Sequence, residues 1–176
     1  MVIWITGLSG SGKTTLSKLL YDRLKPAMPN LIRLDGDAIR ALFGNDVDHS
    51  VEGRHRNAER LSYLSKYIAD QGVNVIAAVL SIFPDMRKWN RANIPGYVEV
   101  YLKTSMEILV KRDKKNLYAP GLEGKLKNVV GVDILFPEPE NTDLVIDNNE
   151  ERDDLKEYAR QIISLPVVKK IIKAGK

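Results

Sequence analysis

The segment Gly7-Leu8-Ser9-Gly10-Ser11-Gly12-Lys13-Thr14 constrains this chain more than any other: it fits G-x-x-x-x-G-K-[ST] and directly follows a short apolar run at residues 2–6. Glycines at these spacings let a backbone wrap until its N–H groups converge, and a helix starting at Lys13 adds the positive end of its dipole. Such a cradle fits the phosphates of a nucleoside triphosphate. Gly7, Ser9, Gly10, Ser11, Gly12, Lys13, Thr14 and Thr15 are therefore the candidate contacts to the triphosphate, which is ATP in a kinase. Lys13 would reach the β- and γ-phosphates, and the Thr14 hydroxyl would take one position on Mg²⁺.

Around the cradle the apolar pattern alternates between strand and helix. Residues 2–6 read as a strand covered on both faces, with Trp4 in the core, and Leu16, Leu19, Leu20 and Leu24 repeat at helical spacing until Pro26 and Pro29 stop the helix. A second strand at 31–34 ends in Asp35-Gly36-Asp37, a short helix covers 38–43, and polar residues 45–53 form a loop. Leu61, Leu64 and Ile68 mark one face of the next helix, which Gly72 can cap. Further strands are expected at 73–80, 99–102 and 144–146, with helices beginning at 106–112 and running over 150–165. In the last helix Leu155, Tyr158 and Ile162 face inward and Pro166 is the stop. Alternation of this kind predicts an α/β fold of three layers with a parallel five-stranded sheet, as one domain over 1–176. Residues 112–140, with several prolines and glycines, contain a stretch too long for an ordinary connection and read as a lid.

Composition narrows the function. The 176 residues are 44% hydrophobic and 28% charged, enough to bury a core. Lys169, Lys170, Lys173 and Lys176 account for the whole formal charge of +4, so the body is near neutral and the basic tail at 167–176 reads as a solvated, frayed end. A neutral body poor in aromatics argues against a nucleic-acid groove. The lack of cysteine excludes disulfides, thiolate catalysis and cysteine-based metal sites. With no basic leader and only a short first apolar run, no membrane segment is expected, and a cytoplasmic enzyme is the default.

Triphosphate cradles serve switch GTPases, motor or transporter ATPases and small-molecule kinases. The D-x-x-G and N-K-x-D strings of a GTPase are absent, and a motor would be longer. A kinase must hold its acceptor in line with the γ-phosphate and keep water out, which calls for acceptor-side charge and a closing lid. Asp35 and Asp37 end the second strand, where open parallel sheets place their ligands. A carboxylate there can take the acceptor hydroxyl's proton or order metal-bound water. The plainer alternative is an Asp-Gly turn with Asp37 as a helix N-cap. Arg40, Arg54, Arg56 and Arg60 follow, either as a clamp for a second anionic substrate or as helix-surface arginines. A catalytically silent ATP-binding regulatory module is the competing class, but such a module would have lost these acceptor groups.

At this point the sequence resembles the adenylylsulfate (APS) kinase family, from Trp4 to about Asp147. The resemblance rests on the cradle through Thr15, on Leu34-Asp35-Gly36-Asp37-Ala38-Ile39-Arg40, on Arg54, Asn57 and Arg60, and on Ser81. It continues through Lys103-Thr104-Ser105, Lys111-Arg112-Asp113, Leu117-Tyr118, Lys127-Asn128, Gly131 and Asp133. It implies a P-loop kinase fold and transfer from ATP, with Mg²⁺, to the ribose 3′-hydroxyl of a nucleoside 5′-phospho-conjugate. By the same resemblance Lys13, Asp35 and Asp37 are catalytic and Arg112 joins the ATP contacts. Arg40, Arg54 and Asn57 would grip the acceptor's 5′ group, Ser81 and Ile82 would lie beside it, and Lys127 would face it from the lid. A small-molecule nucleotide partner and a homodimer are implied too.

Two departures bear on the acceptor. The family sandwiches adenine between two aromatic residues, and those positions hold His49 and Val129 here; Ser81-Ile82-Phe83 and Ile134-Leu135-Phe136-Pro137 also differ from the family's Ser-Pro-Tyr and Asp-Pro-Tyr-Glu. A lost stacking face costs about 1–3 kcal/mol. The acceptor is thus either adenylyl sulfate, stacked by other residues such as Phe83 or Phe136, or a pyrimidine conjugate such as cytidine 5′-diphosphoramidate.

Overall fold

The computed structural model describes residues 1–113, 115–150 and 154–174. Its strands are β1 (Val2–Thr6), β2 (Leu31–Asp35), β3 (Asn74–Val79), β4 (Tyr97–Lys103) and β5 (Leu144–Asp147), paired in parallel in the order β2-β3-β1-β4-β5. The helices are α1 (Lys13–Leu24), α2 (Gly36–Leu42), α3 (Val51–Asp70), α4 (Pro84–Asn93), α5 (Met106–Arg112), α6 (Tyr118–Leu122), α7 (Lys156–Ser164) and α8 (Pro166–Ala174). β1 is apolar along its length because it serves two cores. Ile3 and Ile5 pack with α1, α7 and α8, whereas Val2 and Trp4 pack with α3 and the residues flanking α4. Trp4 is therefore core, as expected. A third apolar cluster, of Leu8, Ile82, Leu109, Tyr118, Val129 and Val130, ties the cradle to the lid.

Helix ends follow the sequence with several corrections. Asp35, not Asp37, caps α2: its carboxylate accepts the Asp37 N–H at 3.0 Å, so the helix starts at Gly36, ahead of the expected 38. The Ser50 hydroxyl accepts the Gly53 N–H at 3.1 Å, which starts α3 inside the stretch 45–53 read as loop. Gly72, in the left-handed region at φ 77°, ends α3 as expected, with its N–H on Ala69 O and that of Val73 on Ile68 O, the paired bonds of a Schellman ending. Helix α4 was not read from the sequence; its polar face obscures the spacing of buried Met86 and Asn90. The expected helix over 150–165 begins only at Lys156, although 151–153 lie outside the described residues.

The tail is the largest correction. Pro166 does not end the helical region but opens α8, since proline is suited to a first helical position, where its missing N–H is not needed. Val168 is fully buried, and Ile171 and Ile172 rest on the first core. Lys169, Lys170 and Lys173 decorate a docked helix rather than a frayed end; Lys176 lies outside the described residues. Among the described residues no helix is long and apolar enough to cross a membrane.

Candidate active site

The cradle forms at the carboxyl end of β1, the central strand. Gly7 (φ 153°) is required by crowding: a Cβ there would lie 2.5 Å from the Leu102 carbonyl oxygen and 2.9 Å from Ser11 Oγ. Gly12 precedes α1 at φ 98°, and the first bond of the helix runs from Leu16 N–H to Gly12 O at 2.9 Å. The N–H groups of Lys13, Thr14 and Thr15 come before that bond, no side chain caps them, and no acidic residue occupies the first turn. That leaves an anion site at a helix N-terminus. From behind, Asn148 Nδ2 donates to Ser11 O at 2.8 Å, and from the lid the Tyr118 hydroxyl donates to Ser9 O at 2.7 Å.

Charges converge on the mouth of this cradle. Lys13 Nζ donates to Leu8 O at 2.7 Å. Burial, and after it the nearby Lys115 ammonium, bring Lys13 down from 10.5 to about 8, against the opposing pull of Asp37 and Asp35. Asp35 holds the Thr14 hydroxyl on Oδ2 at 2.8 Å and the α2 N-terminus on Oδ1. Asp37 meets Lys115 Nζ at 2.6 Å. Burial alone would raise the Asp37 carboxyl, but the hydrogen bond and charge of Lys115, with help from Lys13 and His49, outweigh it and hold the carboxyl below its ordinary value. Lys115 was not singled out in the sequence, where it is one of several lysines near the lid.

On the acceptor side Arg40 is buried and donates through Nη1 to Val47 O at 2.8 Å and Asp48 O at 2.7 Å, so it also shapes the loop before α3. Arg54 spans the gap to the lid, with Nε on His49 O at 2.9 Å and Nη2 on Asn128 O at 2.8 Å. Burial and the neighbouring Arg40 guanidinium both lower Arg54, the electrostatic mark of two cations facing one space. Burial, and after it the same two arginines, hold His49 below its ordinary value, which favours the neutral imidazole. Asn57 is buried on α3 with Nδ2 on Gly36 O at 3.3 Å and Oδ1 unpaired. Arg56 stands exposed on α3, and Arg60 is engaged by a two-pronged bond to Asp46, at 3.0 and 2.7 Å.

Of the remaining predicted residues, Ser81 lies two positions past β3 and is buried, and its carbonyl accepts from Arg87 Nη1 at 2.9 Å. Arg112 Nη2 donates to Glu150 O at 3.0 Å, linking the lid to the segment after β5. Lys127 is exposed on the lid. Ile82 and Val129 both belong to the third apolar cluster, and Val129 is only 5% exposed. The two alternative stackers are engaged within the protein: Phe83 meets His55 edge-on at 4.7 Å, and Phe136 lies tilted against Tyr101 at 5.9 Å.

A parallel sheet with a phosphate cradle at its centre, acceptor-side carboxylates and arginines, and a lid pinned over both defines a P-loop phosphotransferase. The model of the family described as "Adenylylsulphate kinase" matches residues 1–147, and the chain belongs to that family. It is 43% identical over 162 residues to a cytidine diphosphoramidate kinase of Campylobacter jejuni, covering 92% of this chain and 94% of that one. To the adenylyl-sulfate kinase of Staphylococcus carnosus it is 35% identical over 174 residues, covering 98% and 86%. Its fold matches that of the Mycobacterium tuberculosis APS kinase CysC in complex with AMPPNP and APS, with a TM-score of 0.82, 30% identity and coverage of 93% and 95%. ATP is the phosphoryl donor of this family, and the enzyme is a kinase acting on an alcohol group.

Proposed function

We propose that this enzyme transfers the γ-phosphoryl group of ATP to the ribose 3′-hydroxyl of a cytidine 5′-diphosphate conjugate ending in a phosphoramidate, in preference to adenylyl sulfate. The observation that carries the choice is Val129: where the family has an aromatic residue, this chain has a small aliphatic side chain packed into the lid cluster. His49, within electrostatic reach of Arg40 and Arg54, supplies one polar-edged face in place of the other. A single small face suits a pyrimidine better than a purine, whose larger area gains more from a two-sided stack. The likeness to the Campylobacter kinase points the same way.

In this reading the loop amides and Lys13 hold the β- and γ-phosphates, and the lid excludes water. Asp37 accepts the 3′-hydroxyl proton as the sugar oxygen bonds to phosphorus, while the bond from phosphorus to the β,γ-bridging oxygen breaks with its electrons leaving on ADP. Arg40 and Arg54 neutralise the acceptor's 5′ group. The paired oxygens of Thr14 and Asp35 fit a Mg²⁺ site. No cluster of three His, Asp or Glu is found among the described residues, in keeping with a metal that takes one or two protein ligands and shares the rest with phosphate and water. When bound, the ion would neutralise charge on the phosphates. Steady-state turnover with both acceptors tests the reading: kcat/KM at least tenfold higher for the cytidine conjugate is expected, and a preference for adenylyl sulfate would overturn it.

A further inference from the structure

Lys115 is placed as a working part of the site rather than as a surface lysine. The turn that carries it is fixed at both ends. Asp113 accepts the N–H groups of Leu117, Tyr118 and Ala119 at 2.8 to 3.0 Å, and Tyr118, fully buried, donates to the cradle carbonyl of Ser9. From this fixed point Lys115 Nζ reaches 2.6 Å from Asp37 Oδ2, across 78 positions of sequence, while remaining close enough to repel the Lys13 ammonium. Two cations and two carboxylates, Lys13, Lys115, Asp35 and Asp37, thus surround the space between cradle and acceptor side. Like charges so close are costly unless an anion comes between them, and a triphosphate tail in the cradle would put one there.

Building on the kinase reading above, we propose that Lys115 is a catalytic residue that changes partner. Its ammonium leaves Asp37 for the γ-phosphoryl oxygens when ATP binds, where it shares the charge of the transferring group with Lys13. Asp37 Oδ2, released from that contact, is then open to the 3′-hydroxyl, so the exchange ties seating of the acceptor to arrival of the donor.

Two measurements test this. In the first, a crystal structure of the protein with AMPPNP should show Lys115 Nζ within hydrogen-bond distance of a γ-phosphoryl oxygen and parted from Asp37 Oδ2, which it meets at 2.6 Å without nucleotide. A complex in which the Lys115–Asp37 contact persists and Lys115 meets no γ-phosphoryl oxygen would overturn the proposal. In the second, Lys115→Met should lose on the order of 100-fold in kcat with both KM values within about threefold, the size seen when one preorganised charge donor is removed, whereas Lys115→Arg should retain most of the rate. A kcat within threefold of native, or a loss confined to KM, refutes the role. If native protein turned over neither acceptor, the acceptor assignment would fail, but the AMPPNP complex would still decide whether the lysine moves.

Discussion

Lys13 shows how one residue carries a cost that its ligand removes. Its folded pKa of about 8 lies below the ordinary 10.5, so between those values the unfolded chain binds more protons than the folded one, and this group makes stability rise with pH across that window. Phosphate in the cradle favours the ammonium form and pushes the value back up. ADP binding above pH 8 should therefore take up a proton, seen as a dependence of calorimetric heat on the ionisation enthalpy of the buffer, and Lys13→Met should abolish the uptake. Uptake that persisted in the variant would place the proton elsewhere. Single residues were legible where a local string implies a local shape, as from Gly7 to Thr15. Arg40 and Asn57 were legible as types, though not that Arg40 would also spend bonds on Val47 and Asp48. Lys115 was not legible, because its meaning lies in a contact 78 positions away.

Elements were legible where one period dominated. The five strands and α1 announced themselves by apolar runs and leucine spacing, whereas α8 was hidden by its lysines and by a proline that usually signals an end. Val168, 0% exposed in the first core, makes α8 part of the fold. Val168→Ala removes two buried methyl groups and should cost about 2 kcal/mol in urea denaturation; a cost near zero would mean that α8 does not dock. The lid's α6 is held differently, by a hydroxyl rather than by area alone. Tyr118→Phe removes the bond to Ser9 O and leaves that carbonyl without its lid partner, for an expected loss of about 1 kcal/mol. Faster amide exchange at Leu117 to Ala119 should accompany it, since these amides exchange when the lid opens. If global stability fell but these amides were unaffected, the bond would support the core and not the lid.

Across the whole molecule, the sequence keeps its family's pattern in the cradle and departs from it on the acceptor side, at His49 and Val129, and the two sides meet through the lid and through the Thr14–Asp35 bond. This division suggests that specificity can be moved without disturbing phosphate binding, but not symmetrically. His49 is exposed, so His49→Phe restores an aromatic face with no packing conflict. Val129 is different: its Cγ2 already lies 3.1 Å from the place a Cβ on Gly121 would occupy, so a ring at 129 must displace α6. Overpacking of that kind costs about 1–3 kcal/mol. His49→Phe alone should therefore lower KM for adenylyl sulfate by roughly tenfold, the equivalent of about 1.4 kcal/mol and within the range for one base stacked on one ring, with KM for ATP unchanged. Val129→Phe should instead lower the denaturation midpoint and raise KM for both acceptors, because the displaced helix carries the Tyr118 latch and follows the turn that holds Lys115. If Val129→Phe folded with native stability and improved adenylyl sulfate more than His49→Phe did, the lid would be more adaptable than its packing implies, and Val129 could not carry the proposed choice of a smaller base.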